Sequence, residues 1–328
     1  MQIFHLGYPK SGSTTIQQLL KSDPDIRFLG KPYDDPGLEY DVRELLAFGD
    51  LRQLPAATVA DMRRRLGADA IVSDEILSGV GFAHGIAANS LLQIVDNLEL
   101  LTEGDFVAHV IFRQPDAFLR SYFNQLVRMG ARMTFDQFCS LVLLRRHHWV
   151  FRSLDYGAIL RSRACREGRL KPVLFETLFK DGGLGDFLRA SFGATHLPEK
   201  PTDQRSNRSE TDSTIDYAAP RLPLNPAGWI ELTVTQPSVQ EYDWLQRLPP
   251  DERQLHQTVW SFQSREADAI VADYRSTLGE ARARFGNRTG KRPATPMFKR
   301  LLQAIAETNR GVAEEFPDHA FARHDYFG

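Results

Sequence analysis

The sequence predicts an α/β protein, a three-layer sandwich built on a central, mainly parallel sheet. Four short, almost uninterrupted apolar runs are typical of buried parallel strands, and they lie at residues 3–6, 70–73, 106–112 and 172–176. Segments with helical spacing separate these runs, and such alternation favours parallel strands joined by right-handed crossovers. Ligands of such sheets bind outside the carboxyl ends of the strands, so the loops there are the expected place of a binding site.

Each predicted helix rests on apolar residues that recur three or four positions apart. The segments predicted in this way are TTIQQLLKS (14–22), the stretch containing Leu92, Val95, Leu98 and Leu101, DAFLRSYFNQLVRM (116–129) and MFKRLLQAIAETNRGVAEEF (297–316). Each of the first three follows one of the predicted strands, as the α/β pattern requires.

Residues 1–328 are predicted to form a single domain that carries a surface loop and a helical C-terminal insertion. The stretch 198–228 is polar and rich in proline, which is typical of a surface loop. Residues 229–295 have a mainly helical pattern with several aromatic side chains. Those aromatic side chains are either a platform for sugar rings or simply the core of the insertion.

Composition argues against several classes of protein. The formal net charge of -2 does not favour a nucleic-acid partner. The two cysteines, Cys139 and Cys165, form no CxxC pair, so neither a zinc site nor a disulfide framework is expected. No signal-peptide pattern and no run of about 18 apolar residues occurs, so we expect a cytoplasmic protein without a membrane span. The sequence does not indicate the oligomeric state.

The first candidate site is the stretch GYPKSGSTT, between the first predicted strand and helix. Gly7 and Gly12 flank four residues, and such glycines let backbone N–H groups converge on an anion at the helix N-terminus. In a nucleoside-triphosphate loop, lysine follows the second glycine directly. Here Ser13 has that position and Lys10 lies inside the loop, so the match to such a loop is incomplete.

The stretch YPKSGST resembles the 5′-phosphosulfate loop of sulfotransferases, which use 3′-phosphoadenosine 5′-phosphosulfate (PAPS). A second stretch, VIFRQPDAFLRSYFNQ, resembles the 3′-phosphate motif of the same family through Arg113, Pro115 and Ser121. The family often has aspartate where this chain has Gln114. Both stretches lie where a predicted strand passes into a helix. The resemblance therefore adds a P-loop-like phosphosulfate loop to the predicted fold.

This resemblance implies transfer of a sulfonyl group from PAPS to an acceptor hydroxyl or amine, with release of adenosine 3′,5′-bisphosphate (PAP) and without a required metal. The acceptor is expected to be a carbohydrate or a small metabolite. Lys10 is expected to neutralise charge on the leaving phosphate. The residues implied in nucleotide binding are Pro9, Lys10, Ser11, Gly12, Ser13, Thr14, Thr15, Arg113 and Ser121.

A hydroxyl acceptor also calls for a general base. Glu75 is the favoured candidate, because carbohydrate sulfotransferases use a glutamate after a comparable strand. Asp74 and His84 are the alternatives; aspartate often caps a helix, and histidine is the base in the family's enzymes for small phenols and steroids. A third stretch, VLFETLFKDGGLGDFLRASFG, is similar to a later segment of the family, and in it Glu176 is assigned a structural role.

Two other functions stay open from the sequence. The first is a nucleotide kinase or NTPase with a degenerate P-loop, which predicts magnesium-dependent binding of ATP or GTP. The second is a non-catalytic protein that binds the nucleotide or a glycan, for which substitution of the candidate bases changes nothing beyond binding.

Overall fold

The computed structural model describes residues 1–8, 11–30, 33–78, 90–128, 135–144, 146, 149–198, 247–256 and 295–327. In these residues the backbone forms a five-stranded sheet, all parallel, with the strand order β2-β3-β1-β4-β5. The strands are β1 (Gln2–Gly7), β2 (Phe28–Gly30), β3 (Ile71–Ser73), β4 (Phe106–Phe112) and β5 (Leu170–Leu174). The predicted α/β class and the parallel sheet are confirmed.

Helices connect the strands and cover both faces of the sheet. They are α1 (Ser13–Ser22), α2 (Pro36–Tyr40), α3 (Ala56–Leu66), α4 (Leu91–Thr102), α5 (Pro115–Arg128), α6 (Phe135–Leu144), α7 (Trp149–Arg152), α8 (Tyr156–Leu160), α9 (Arg163–Arg166), α10 (Phe175–Phe179), α11 (Leu184–Phe192), α12 (Pro296–Thr308) and α13 (Val312–Glu315). A π-helical turn spans Asp41–Leu46, and 3-10 turns span Leu51–Gln53, Glu75–Ser78 and Pro317–His319.

The sheet separates two apolar cores, which gives the three layers of the sandwich. On one face, α1, α10 and α11 bury side chains such as Ile16, Leu178 and Phe192 against the sheet. On the other face, the larger core is formed by the helices α3 to α6, α8 and α12. Because β1, β3 and β4 are covered on both sides, they read as almost continuous apolar runs in the sequence.

Two strands differ from the prediction. The sequence analysis did not identify β2, which is three residues long and pairs only with β3 at the edge of the sheet. The predicted strand 172–176 was placed two residues too late, because β5 ends at Leu174 and α10 begins at Phe175. Buried residues of α10 continue the apolar run, so the pattern alone does not mark the change from strand to helix.

The predicted helix 297–316 is two helices. Thr295 caps α12 through its hydroxyl, which accepts the N–H of Phe298, and a proline occupies the first turn. The helix ends before Asn309, whose side-chain amide donates to the carbonyl of Leu154 at 2.7 Å. Gly311 then adopts a left-handed backbone conformation and starts α13.

The predicted surface loop, 198–228, lies outside the described residues except for its first residue. Of the predicted insertion, the structure describes only 247–256 and residue 295, and residues 250–256 are helical. This piece is attached to the domain by Glu252, which pairs with Arg300 of α12 at 2.9 Å. Among the described helices, none is long and apolar enough to span a membrane.

Candidate functional site

Both candidate motifs lie at the same edge of the sheet, on neighbouring strands. Gly7 at the end of β1 is in register with Ile111 near the end of β4. From β1 the chain passes through α1 towards β2, whereas from β4 it passes through α5 towards β5, on the opposite side. The two connections therefore diverge and leave a crevice between β1 and β4. This is the topological switch point, where open α/β sheets bind their ligands.

The first loop is organised around one backbone carbonyl. The carbonyl oxygen of Tyr8 accepts a hydrogen bond from the N–H of Ser11 at 3.1 Å and another from the Ser11 hydroxyl. The hydroxyl of Ser13 lies 3.4 Å from the same oxygen. Both serine side chains are buried, and both hydroxyls point back towards the loop. The two hydroxyls are therefore used within the loop, and this loop would contact an anion mainly through its backbone.

Two glycines of this loop are required by close contacts. A Cβ on Gly7 would lie 1.9 Å from the hydroxyl oxygen of Ser13, so the serine packs where that side chain would be. Gly12 has φ of +82°, and a Cβ there would lie 2.3 Å from the ring of Phe179. No other amino acid fits this combination of left-handed backbone and ring contact.

Gly12 is also the N-cap of α1, and it has no side chain to accept hydrogen bonds from the first turn. An α-helix cannot satisfy the N–H groups of its first turn internally, and its dipole places partial positive charge there. Thr14 is half-buried and Thr15 is buried in this turn. Pro9 and Lys10, which the sequence analysis assigned to nucleotide binding, lie outside the described residues.

The second motif begins where β4 ends. Arg113 is half-buried, and burial lowers the pKa of its guanidinium, an effect that the negative charge of Glu176 partly offsets. An arginine so close to a carboxylate stays a cation near neutral pH, and its planar group suits bidentate binding of a phosphate. Ser121 lies half-buried in the second turn of α5.

Aromatic side chains join the two motifs. The guanidinium carbon of Arg113 lies 4.7 Å from the ring centroid of Phe175, which stacks on Phe179 at 4.6 Å. Phe179 in turn covers Gly12. Two aromatic residues one helical turn apart in α10 thus connect the second motif to the first loop. The sequence shows their i, i+4 spacing, but the analysis of the sequence did not assign them to the site.

The backbone around Arg113 is held by side chains from distant parts of the chain. The hydroxyl of Tyr156 donates to the carbonyl of Arg113 at 2.6 Å. The fully buried carboxylate of Glu176 accepts the N–H of Gln114 at 3.4 Å and lies 2.5 Å from the hydroxyl of Tyr326. Glu176 thus has the structural position expected for it, although in the first turn of α10 rather than at a strand end. Nothing in the sequence pattern indicates the two tyrosines.

The candidate general bases differ sharply in their surroundings. Asp74 is buried, and its carboxylate accepts hydrogen bonds from Arg43 at 2.9 Å and from the hydroxyl of Tyr33 at 3.1 Å. Its other oxygen caps the following 3-10 turn by accepting the N–H of Ile76. The side chain of Glu75 is half-buried in that turn, which packs against β1. His84 lies outside the described residues.

Comparison of the chain with protein-family models, with curated proteins and with solved structures gave no match. The fold and the loops define the class of protein: it is an α/β protein with two candidate phosphate-binding loops, one on either side of the switch point. The class of ligand is therefore inferred from the chemical groups of these two loops.

Proposed function

We propose that the protein is a PAPS-dependent sulfotransferase. One observation carries the proposal: the loop that resembles a 5′-phosphosulfate loop and the arginine that resembles a 3′-phosphate site flank the same crevice, on adjacent strands. Two sequence motifs that lie about a hundred residues apart thus follow neighbouring strands, which supports a single ligand with phosphates at both positions.

The groups at the crevice suit such a ligand. The first loop offers the N-terminal turn of α1, which favours an anion through its N–H groups and dipole. The second offers the guanidinium of Arg113, already oriented by its contact with Phe175. Since these donors lie on separate loops, they match two separate phosphate groups of one ligand better than a single linear triphosphate.

In the proposed reaction PAPS supplies the sulfonyl group, and the chain positions the donor and the acceptor. Catalysis of this kind depends mainly on alignment and on stabilisation of developing charge. The sequence assigns that charge stabilisation to Lys10, with Ser11, Gly12, Ser13, Thr14 and Thr15 lining the loop. The acceptor remains a hydroxyl or amine of a carbohydrate or small metabolite.

Glu75 is the proposed general base. Of the two adjacent carboxylates after β3, Asp74 forms an ion pair with Arg43 and caps a turn, so both of its oxygens are already engaged by the protein. Glu75 is the more accessible of the two and lies next to β1. His84 stays the alternative that the sequence offers.

The engaged state of Asp74 also counts against the NTPase alternative. This residue directly follows β3, the strand beside β1, where a carboxylate could otherwise approach a magnesium ion bound at the first loop. Its bonds to Arg43, Tyr33 and the backbone of Ile76 use both of its oxygens. ATP with magnesium is the ligand that distinguishes this alternative from the proposed function.

Calorimetric titration tests the proposal directly. We expect PAP to bind without metal with a dissociation constant of about 1–10 μM, and adenosine 5′-phosphate, which lacks the 3′-phosphate, to bind much more weakly. A preference for ATP with magnesium would instead support the kinase or NTPase function. If PAP binds tightly and PAPS is never consumed with any acceptor, even in the wild-type chain, the non-catalytic binding function is favoured.

Substitution of Arg113 by glutamine tests the assignment of the second motif. Loss of a charge-assisted contact to a phosphate should weaken PAP binding by about 1.5–3 kcal/mol. Arg120→Gln is the matched control. Arg120 lies on α5, is half-buried like Arg113, and likewise contacts an aromatic ring, that of Phe298 at 4.5 Å. Equal losses in the two variants would mean that Arg113 has no special part in binding.

A further inference from the structure

The segment Phe321–Phe327 lies against the second motif, and the sequence gives no indication of it. Tyr326 is almost fully buried, with 3% of its surface exposed, and its hydroxyl lies 3.2 Å from the carbonyl oxygen of Phe112, the last residue of β4. The same hydroxyl lies 2.5 Å from the Glu176 carboxylate. Burial raises the pKa of Tyr326, so the hydroxyl keeps its proton and acts as a donor here.

The carboxylate of Glu176 transmits this contact to the Arg113 loop. One of its oxygens faces Tyr326 and the other accepts the N–H of Gln114, the residue after Arg113. A fully buried carboxylate is costly unless both oxygens have partners. Tyr326 therefore satisfies the half of Glu176 that the Arg113 loop does not, and it fixes the orientation of the other half.

A second contact joins the same two segments. The side-chain amide of Gln114 donates to the carbonyl of Asp325 at 3.0 Å. Asp325 has φ of +49° and Ala320 has φ of +53°, both in the left-handed region. This conformation is unfavourable for non-glycine residues, which hold it only where the surroundings impose it. For Asp325, the hydrogen bond from Gln114 is such a constraint.

The segment is also fixed to the turn that follows α10. Arg323 pairs with Asp181 at 3.1 Å, and the ring of His324 lies 3.3 Å from the same carboxylate. The turn thus holds the segment on one side, while the Arg113 loop contacts it on the other. Since α10 also carries the rings that join the two motifs, direct contacts link the segment, α10 and the Arg113 loop.

We infer that Tyr326 is a positioning residue, and that the segment Phe321–Phe327 sets the affinity for the 3′-phosphate of the nucleotide by holding the backbone on both sides of Arg113. This inference rests on the proposed function. Tyr326 acts through Glu176 and the backbone of β4, without touching the nucleotide.

Tyr326→Phe provides the test, because it removes the hydroxyl and leaves the ring. The quantity to measure by calorimetry is the ratio of the affinities for PAP and adenosine 5′-phosphate, in the full-length chain. We expect this ratio to fall by about tenfold, while the affinity for adenosine 5′-phosphate changes little. A general loosening of the fold would weaken both ligands equally and leave the ratio unchanged.

Two further variants keep the test decisive. Gln114→Ala removes the second contact from a half-buried position, and it should lower the same ratio by a smaller factor, about threefold. Tyr122→Phe is the matched control: Tyr122 is an equally buried tyrosine of α5, with its ring stacked on Phe118, and its substitution should leave the ratio unchanged.

The outcomes separate the two proposals. If the wild-type chain shows no preference for PAP over adenosine 5′-phosphate, the proposed function is wrong. If the wild-type chain shows the preference and both Tyr326→Phe and Gln114→Ala retain it in full, the proposed function stands and the positioning role is refuted. Circular dichroism of each variant identifies any that fail to fold, and the other variant then decides.

Discussion

The two loops at the switch point are built in opposite ways. The hydrogen bonds of the first are local, since the carbonyl of Tyr8 receives hydroxyl contacts from residues three and five positions further on, and its one distant contact is the ring of Phe179 against Gly12. The second takes its shape from side chains 43, 62 and 214 positions away along the sequence. The candidate site thus combines a loop whose hydrogen bonds are local with one that forms only in the folded domain. Substitutions that act on one loop and spare the other test this comparison.

Among single substitutions, the largest effect is expected from Gly12→Ala in the first loop. The left-handed backbone and the contact with Phe179 together should lower the free energy of unfolding by about 3 kcal/mol, measured by denaturant titration. Gly193→Ala is the control, because Gly193 has φ of +69° but nothing within 4 Å of an added Cβ. It should cost about 1 kcal/mol. Equal costs at the two glycines would show that Phe179 does not constrain the loop.

The next effect is expected from Glu176→Gln in the second loop. The variant keeps the shape of the side chain and loses the charge that Gln114, Tyr326 and Arg113 face, so we expect a loss of about 2 kcal/mol in the free energy of unfolding. The exposed Glu315, paired with Arg161, serves as the control. Its replacement by glutamine should change stability far less, and a similar loss at both positions would contradict a special role for the buried carboxylate.

Acid should destabilise the face of the sheet beneath the first loop. Burial lowers the pKa of His5 to about 3, with help from His109, and lowers that of His109 to about 4, with help from Lys171. Their stabilising contribution is complete above pH 6.5, the ordinary pKa, and is lost as the pH falls towards the folded values. We expect about 2 kcal/mol per histidine between pH 7 and pH 5. In His109→Leu, denaturant titrations across this range should show a shallower dependence; an unchanged slope would contradict the prediction.

The smallest effect is a gain in stability at the segment beside the second loop. Ala320→Gly relieves a left-handed conformation and should raise the free energy of unfolding by about 0.5–1 kcal/mol. The control is Ala313→Gly within α13, where glycine should lower it by about 1 kcal/mol. A loss at both positions in thermal melts would mean that residue 320 is not strained.

The same contrast explains how much the sequence reveals. The helix after β1 and the glycines of the first loop follow from local patterns of apolar and turn-forming residues, and Arg113 is singled out because its short stretch resembles a family motif. Their placement at one crevice follows from parallel strand pairing. These parts of the fold and of the candidate site were predictable because each depends on residues within a short stretch.

The parts that could not be predicted depend on distant partners. The edge strand β2 gains its conformation from pairing with β3, and its three residues are too few to show a period. Asp74 reads as a possible base until Arg43 and Tyr33 are seen to occupy it. Tyr326 has no motif around it, and its contacts exist only after the sheet and α10 have formed.

The contact between Tyr326 and β4 also orders the folding of the domain. Contacts between residues far apart in the sequence carry the largest loop-closure cost and form once nearer contacts have reduced it. The hydrogen bonds of the first loop need only β1 and α1, so they can form early, before Phe179 of α10 packs against Gly12. The Arg113 loop must wait for a segment 214 residues away from Phe112. During refolding we therefore expect the hydrogen bonds of the first loop to form before those that hold the Arg113 loop.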